Sequence, residues 1–319
     1  MLVGRRPVVE AKDLVAQLTV PPHFSDATFD TYRPDPSFAS QAQARDRVKA
    51  FADGTRGRRR RSAGRGIYLD GGFGVGKTHL LAAVAESVGA GAAFGTFVEY
   101  THLVGALGFA QARAALSTFK VVCIDEFELD DPGDTVLMAR LMRELSDAGV
   151  ALAATSNTLP ESLGQGRFAA SDFAREIQAV SKVFEVVSID GLDYRHTGEL
   201  AFSSASDEVV ASVAELWGGT VASWHGLVED LVHVHPSRLG AYVAGVRWLG
   251  LLDVEPLTDQ SRALRVVSLV DRLYDADVRV VASGGSLGEI FPQDMLEGGF
   301  KKKYYRALSR LASMNAADS

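Results

Sequence analysis

Short apolar runs alternate with stretches of helical periodicity between residues 66 and 190. This pattern predicts five strands, with the sequences GIYLD, GTFVEY, KVVCID, VALAATSN and FEVVSID. Helices are expected between them, among them THLLAAVAESV, THLVGALGFAQARAAL and GDTVLMARLMRELSDAG. Strands that are apolar on both faces and separated by helices are typical of a parallel sheet covered on both sides. Because such crossovers are right-handed, we predict an α/β fold with a doubly wound parallel sheet.

The chain on either side of this core has a different pattern. The first 30 residues have no strong period and predict an arm, whereas residues 37–53 have the apolar spacing of a helix. After residue 191 the pattern is mostly helical, with one further strand in VRVVAS and a last helix from Lys301 to Met314. We therefore predict an N-terminal arm and helix with an Arg-rich loop at 1–65, the α/β core at 66–200 and a mostly helical region at 201–319.

Composition narrows the class of protein. Hydrophobic residues make up 47% of the 319-residue chain and charged residues 23%, which is typical of a globular protein and excludes global disorder. The net charge of −7 argues against a surface built entirely for nucleic acid. One cysteine excludes an internal disulfide, and no apolar run is long enough to span a bilayer. With no signal peptide recognisable, we expect a cytoplasmic protein without a transmembrane segment.

A phosphate-binding motif follows the first predicted core strand. Residues 71–78 match the pattern G-x-x-x-x-G-K-[ST], and a strand before it and a helix after it are the context the motif requires. Glycines let backbone N–H groups point at phosphate oxygens, and Lys77 can reach the β- and γ-phosphates. The Thr78 hydroxyl can ligate Mg²⁺. The predicted nucleotide-binding residues are Gly71, Gly72, Phe73, Gly74, Val75, Gly76, Lys77, Thr78, His79 and Asp125.

An acidic pair ends the third predicted strand. In Val121-Val122-Cys123-Ile124-Asp125-Glu126, we predict that Asp125 holds the Mg²⁺ shell and that Glu126 polarises the attacking water as general base. Mid-strand Cys123 is expected to be a buried small side chain. The chain contains no motif that would specify guanine, so the sequence indicates a hydrolase of ATP.

Further polar residues are candidates for the γ-phosphate. Asn157 ends the fourth predicted strand, where its amide could orient the lytic water, although an asparagine in this place is often only a turn former. Phosphoryl transfer needs positive charge near the γ-phosphate, often from a neighbouring subunit. Arg167 and Arg175 are the candidates for this role, with a surface position on a helix as the alternative. Arg310, in the last helix, is a weaker candidate for sensing nucleotide.

These motifs in this order resemble those of AAA+ ATPases. A more specific resemblance, to the ZapE-like cell-division ATPases and their mitochondrial lactation-elevated relatives, runs along nearly the whole chain. It rests on GIYLDGGFGVGKTHLL, VVCIDEFELDDPGD, ATSNTLP, GLDYRH, SLVDRLYDADVRVVAS and ALSRLASM. The resemblance implies Mg-ATP hydrolysis by a homo-oligomer that acts on the tubulin-like division protein FtsZ. In one departure, Ala170 stands where the family has an arginine. The trans arginine is then expected at Arg167 or Arg175, or its contribution is expected to be weak.

Two other functions remain open at this stage. Six arginines lie between Arg56 and Arg65, and such a run is either a solvated linker or a phosphate-binding loop. If it binds phosphate, the chain could be a DNA-associated ATPase resembling a helicase loader, whose binding would be sensitive to salt. If it meets anionic lipid, the chain could be a membrane-peripheral quality-control ATPase. A purely structural protein would leave the catalytic residues without a purpose.

Overall fold

The computed structural model describes residues 2–7, 11–56, 66–72, 74–127, 132–159, 178, 181–191 and 202–315. The chain divides into two compact units. The first, called the α/β unit below, comprises Glu10–Val20 and Phe24–Thr197. The second, called the C-terminal unit, comprises Met1–Val9, Pro21–His23 and Gly198–Ser319. The boundary predicted at residue 200 falls outside the described residues.

The α/β unit contains a five-stranded parallel sheet in its described part. Its strands are β1 (Gly66–Gly71), β2 (Ala92–Thr96), β3 (Val121–Asp125), β4 (Ala151–Ser156) and β5 (Phe184–Ile189). Their order in the sheet is β2-β3-β4-β1-β5, and every neighbouring pair is parallel. The helices are α1 (Ala11–Ala16), α2 (Ala39–Arg56), α3 (Lys77–Val88), α4 (Phe97–Leu107), α5 (Phe109–Leu116) and α6 (Pro132–Asp147). The doubly wound α/β fold predicted from the sequence is confirmed.

Two apolar cores, one on each face, explain why the strand segments are apolar throughout. Tyr68 of β1 packs in one core, with side chains from α4, α5 and α6. Its neighbours Ile67 and Leu69 pack in the other core, with α2 and α3. Successive side chains of a strand point to opposite faces, so a strand covered on both sides has no polar alternation. The carboxyl ends of the parallel strands consequently form one edge of the sheet.

The prediction of the second strand was wrong for its C-terminal half. GTFVEY was expected to be one strand, but β2 ends at Thr96 and α4 begins at Phe97. Thr96 caps this helix: its hydroxyl accepts the Glu99 N–H at 3.4 Å, and the Glu99 carboxylate accepts the Thr96 N–H at 2.7 Å. This capping box directs the chain into a helix despite the β-forming residues that follow. The single helix expected afterwards is also divided, into α4 and α5, by Gly108 at φ 79°.

The C-terminal unit contains a small sheet of its own. Its described helices are α7 (Asp207–Leu216), α8 (Trp224–Leu231), α9 (Leu239–Val243), α10 (Gln260–Asp275), α11 (Gln293–Glu297) and α12 (Lys301–Asn315). The three parallel strands are β6 (Thr220–Ser223), β7 (Trp248–Val254) and β8 (Arg279–Gly284), in the order β6-β7-β8. These elements are consistent with the predicted mostly helical region. The prediction of one strand was incomplete, because β6 and β7 accompany the predicted β8. Short apolar runs such as β7 cannot be separated from buried helix by periodicity.

A buried ion cluster joins α10 to α12 within the C-terminal unit. The Asp271 carboxylate pairs with Arg306 at 2.6 Å and with Arg310. Burial by itself would raise the pKa of Asp271, but the two guanidinium groups outweigh it and lower the pKa from 3.8 to about 2. The Arg310 guanidinium also lies 5.1 Å from the centre of the Tyr274 ring. The weaker candidate for nucleotide sensing is thus engaged in the core of this unit.

Replacing Asp271 by asparagine should lower the free energy of unfolding of the C-terminal unit by about 3 kcal/mol, because two buried guanidinium groups lose their counter-charge. All three tryptophans, Trp217, Trp224 and Trp248, belong to this unit, so tryptophan fluorescence during urea denaturation reports on it selectively. Glu255→Gln, at an exposed position, is the matched control. A midpoint for Asp271→Asn equal to that of the control would contradict a stabilising role for the cluster.

The same cluster predicts a pH dependence. Because the folded pKa of Asp271 lies below its unfolded value of 3.8, its contribution to stability is present above about pH 4 and is lost as pH falls toward 2. Wild-type stability should therefore fall more steeply than that of Asp271→Asn across this interval. Denaturation midpoints for the two proteins at several pH values between 2 and 5 measure the difference. Parallel profiles would show that Asp271 is not the titrating group.

Candidate nucleotide-binding site

The phosphate-binding loop connects β1 to α3 at the carboxyl edge of the sheet. Gly74 and Gly76 have φ values of 77° and 84°, in the left-handed region that glycine adopts without strain. A Cβ on Gly76 would lie 2.5 Å from the Tyr32 ring, so the loop also needs glycine there for space. Lys77 begins α3, which places the loop against the N-terminal turn of that helix. This geometry suits an anionic phosphate group. Phe73 lies outside the described residues.

A segment before α2 packs against this loop. The buried Tyr32 hydroxyl donates to the Val75 carbonyl at 2.9 Å. His79, in the first turn of α3, places Nε2 at 3.2 Å from the Thr31 hydroxyl and 2.9 Å from the Thr28 carbonyl oxygen. Tyr32 was missed by the sequence analysis, since the arm has no periodic signal and its partner is 43 residues away along the chain. His79 was predicted to contact nucleotide, and its observed contacts are to this segment.

Lys77 and Asn157 come together in the structure. The Lys77 ammonium donates to the Asn157 side-chain oxygen at 2.8 Å and to the carbonyls of Gly71 and Gly72 at 2.7 and 2.6 Å. β4 and β1 are neighbours in the sheet, so the residue that follows β4 lies beside the loop that follows β1. The two residues, 80 positions apart in sequence, are therefore placed to act on one phosphate group.

The acidic pair follows β3, and its first member contacts the start of α3 through Thr78. Asp125, 5% exposed, accepts hydrogen bonds at Oδ1 from the Thr78 hydroxyl at 3.2 Å and from the Thr155 hydroxyl. Glu126 follows with φ 53°, a left-handed conformation that is uncommon outside glycine. A hydroxyl and a carboxylate are hard oxygen donors of the kind Mg²⁺ prefers, and Mg²⁺ commonly uses few protein ligands. The donor set of Thr78 and Asp125 thus fits the predicted metal.

Some predicted residues lie outside the described part of the chain. These are Arg167, Ala170 and Arg175, so the identity of the trans arginine stays a prediction. Arg56 closes α2, while the remainder of the arginine run, at 57–65, is also outside. Cys123 is fully buried, and burial raises the pKa of its thiol, which agrees with its expected place in the core. No described helix has both the length and the apolar character needed to cross a membrane.

Known proteins match over most of the chain. A family model described as AFG1-like ATPase matches residues 8–230 and 234–319. The cell division protein ZapE of Escherichia coli strain K12 is 30% identical over 299 residues, covering 80% of this chain and 79% of that protein. Lactation elevated protein 1 homolog B of Danio rerio is 24% identical over 220 residues, covering 56% of this chain and 43% of that protein.

Solved structures of replication proteins are more distant. The DnaC helicase loader is 19% identical, with a TM-score of 0.39 and coverage of 53% of this chain and 99% of that one. The replication initiator DnaA, bound to AMPPCP and single-stranded DNA, is 14% identical, with a TM-score of 0.42 and coverage of 78% and 82%. At these scores the likenesses carry no functional argument, and the strand order and loop geometry above establish the fold.

Proposed function

Because the chain belongs to the AFG1-like ATPase family, we propose that it uses Mg-ATP hydrolysis to remodel a protein partner during cell division, and that this partner is FtsZ polymer. The ATPase activity, of AAA+ type, is the premise on which the rest is built. The single observation that carries the chemistry is the convergence of Asn157 on Lys77 and of Asp125 on Thr78 at the start of α3.

Each converging group has a distinct task in this proposal. Lys77 neutralises the β- and γ-phosphate oxygens from the loop, and Asn157 orients the water that attacks the γ-phosphate. Thr78 and Asp125 would hold Mg²⁺, which when bound offsets the negative charge of the phosphates. Glu126, directly after the metal-binding carboxylate, polarises the attacking water as general base. Little covalent chemistry is needed from the protein, because phosphoryl transfer depends on positioning and on electrostatic stabilisation.

The proposed active form is a homo-oligomer. A positive charge at the γ-phosphate is expected in this chemistry, and a neighbouring copy can supply it as Arg167 or Arg175. The resemblance to ZapE-like ATPases supports this arrangement, because membership of that family implies an oligomer. Hydrolysis in one copy would then depend on its neighbour, which is how a ring of subunits can convert nucleotide turnover into movement of a bound polymer.

Sequence similarity to a cell division protein over most of the chain supports the division role. The E. coli relative named as a cell division protein matches 80% of this chain at 30% identity, more than either unit alone comprises. The net charge of −7 is unfavourable for general binding to nucleic acid, which makes a protein polymer the better partner.

We expect polymerised FtsZ to raise the steady-state rate of ATP hydrolysis by at least about threefold, because a remodelling ATPase turns over faster when its partner stabilises the active form. The rate is measured with FtsZ polymers, with single-stranded DNA and with anionic vesicles, using Lys77→Ala as the blank. Stimulation by DNA that disappears at high salt would replace this proposal with the helicase-loader function. Stimulation by vesicles alone would favour the membrane-peripheral function.

A further inference from the structure

We propose that Thr155 is a positioning residue for ATP hydrolysis, whose hydroxyl holds Asp125 and Glu126 in their working arrangement. This inference rests on the roles proposed above for the acidic pair. Thr155 lies on β4, the strand that also leads to Asn157, and 2% of the residue is exposed. It therefore bonds to the predicted metal ligand and the predicted base, and it lies two residues before the predicted sensor. Because it is buried, it is not placed to touch substrate itself.

The Thr155 hydroxyl bonds to both members of the acidic pair. It donates to Oδ1 of Asp125 and accepts the backbone N–H of Glu126 at 3.1 Å. A hydroxyl has one proton to donate and lone pairs that can accept, so it can make both hydrogen bonds at once. The Thr78 hydroxyl donates to the same Asp125 oxygen at 3.2 Å. The rotation of the carboxylate is thereby restricted from two sides, with its position coupled to both β4 and the phosphate-binding loop.

This contact occurs where the backbone pairing of the two strands stops. β3 and β4 pair in register from Val121 with Ala151 to Ile124 with Ala154. At the following position, the Thr155 side chain takes over the hydrogen bonding to Asp125. Its carbonyl then accepts the Phe127 N–H at 2.7 Å. Thr155 thus keeps the two strands connected at the edge of the sheet, where the chain of β3 turns away.

The turn after β3 explains why a hydroxyl is needed. Glu126 has φ 53°, and a non-glycine residue stays in this region only when its surroundings hold it there. Its N–H is held by the Thr155 hydroxyl, and the next N–H by the Thr155 carbonyl. Phe127 is fully buried, with its ring 5.1 Å from that of Phe97. Removing the hydroxyl frees Glu126 to relax while the buried ring anchors the chain beyond it.

The test compares Thr155→Val with Thr155→Ser, because valine keeps the shape of threonine and loses the hydroxyl, whereas serine keeps the hydroxyl. Thr101→Val is the matched control: Thr101 is 9% exposed and its hydroxyl donates within α4, to the Val98 carbonyl at 3.0 Å. For each protein, kcat and KM for ATP are measured. The affinity for a fluorescent ATP analogue is also measured with Mg²⁺ and with EDTA.

We expect Thr155→Val to lower kcat by about ten- to a hundredfold, the range that corresponds to losing a hydrogen bond to a charged group. It should also lose most of the gain in analogue affinity that Mg²⁺ provides, while the affinity in EDTA stays near that of the wild type. Thr155→Ser should recover most of both properties, and Thr101→Val should resemble the wild type. If Thr155→Val does not fold, as judged by circular dichroism, Thr155→Ala takes its place in the comparison with Thr155→Ser.

Two results would overturn the inference. One is a Thr155→Val enzyme with wild-type kcat and an undiminished effect of Mg²⁺ on affinity. The other is an equal loss in the serine and valine variants, which would mean that shape matters and the hydroxyl does not. A Glu126→Gln variant measured in parallel separates this inference from its premise. Slow turnover in Glu126→Gln with normal turnover in Thr155→Val rejects Thr155 alone, whereas normal turnover in Glu126→Gln rejects the proposed role of the acidic pair.

Discussion

Lys77→Ala is expected to reduce ATP hydrolysis by about a thousandfold, as befits the loss of a positioned charge in the transition state. The Lys77 ammonium is held by two loop carbonyls and by Asn157, so its position relative to the phosphates is set by the protein before any reaction. Alanine removes the charge and the contact to Asn157 together. Nucleotide binding should weaken as well, because the same ammonium neutralises phosphate oxygens in the ground state.

The measurement is phosphate release at saturating Mg-ATP, together with the affinity for a fluorescent ATP analogue. Lys182→Ala is the matched control, since Lys182 is exposed and precedes β5 at the opposite, amino edge of the sheet. We expect this control to hydrolyse ATP at the wild-type rate. If Lys77→Ala hydrolysed ATP at the rate of the control, the phosphate-binding loop would not be part of the catalytic site, and the proposed function would be contradicted.

Glu126→Gln should slow ATP hydrolysis and leave ATP binding nearly unchanged, whereas Lys77→Ala should weaken both. The substitution keeps the size of the side chain and removes the carboxylate that would polarise the attacking water, which should lower kcat by about a hundred- to a thousandfold. ATP affinity should change little, because Lys77, Thr78 and Asp125 are retained. The variant would then hold ATP without turning it over. It should also be the best form in which to trap the oligomer and its complex with a partner polymer.

Single-turnover hydrolysis and analogue affinity, measured on the same preparation, give the two halves of this result. Glu86→Gln, at an exposed position in the last turn of α3, controls for the loss of a carboxylate elsewhere in the unit. Unchanged turnover would eliminate Glu126 as the base. A large loss of ATP affinity would instead indicate that Glu126 maintains the structure of the binding site, since its backbone lies in a left-handed conformation.

The features that the sequence predicted correctly are those encoded by consecutive residues. The phosphate-binding loop needs a strand, a glycine-rich turn and a helix in immediate succession, and the structure has β1, residues 71–76 and α3 in that order. The resemblance to ZapE-like ATPases, read from the same contiguous motifs, is confirmed by the family match and by the 30% identity to the E. coli relative. The apolar strands were found because both faces of the sheet are covered.

Local competition accounts for the errors in the element boundaries. FVEY has the composition of a strand, but the Thr96 and Glu99 capping box stabilises a helix over the same residues. In the C-terminal unit, β6 and β7 are short, and a short apolar run has the same composition in a strand and in a buried helix. What decides between them is the pairing of β6 with β7 and of β7 with β8, which the local sequence does not reveal.

The sequence by itself predicted the chemistry of this protein from a nucleotide-binding loop, an acidic strand end and a polar residue at the end of the next strand along the chain. Only the tertiary structure decided which side chains act together. The strand order β2-β3-β4-β1-β5 brings Asn157 to Lys77 and Thr155 to Asp125. Tyr32 likewise reaches Val75 only after folding. A lone threonine or tyrosine has no motif, because its contribution depends on a partner tens of residues away. Such contacts arise from packing and not from periodicity.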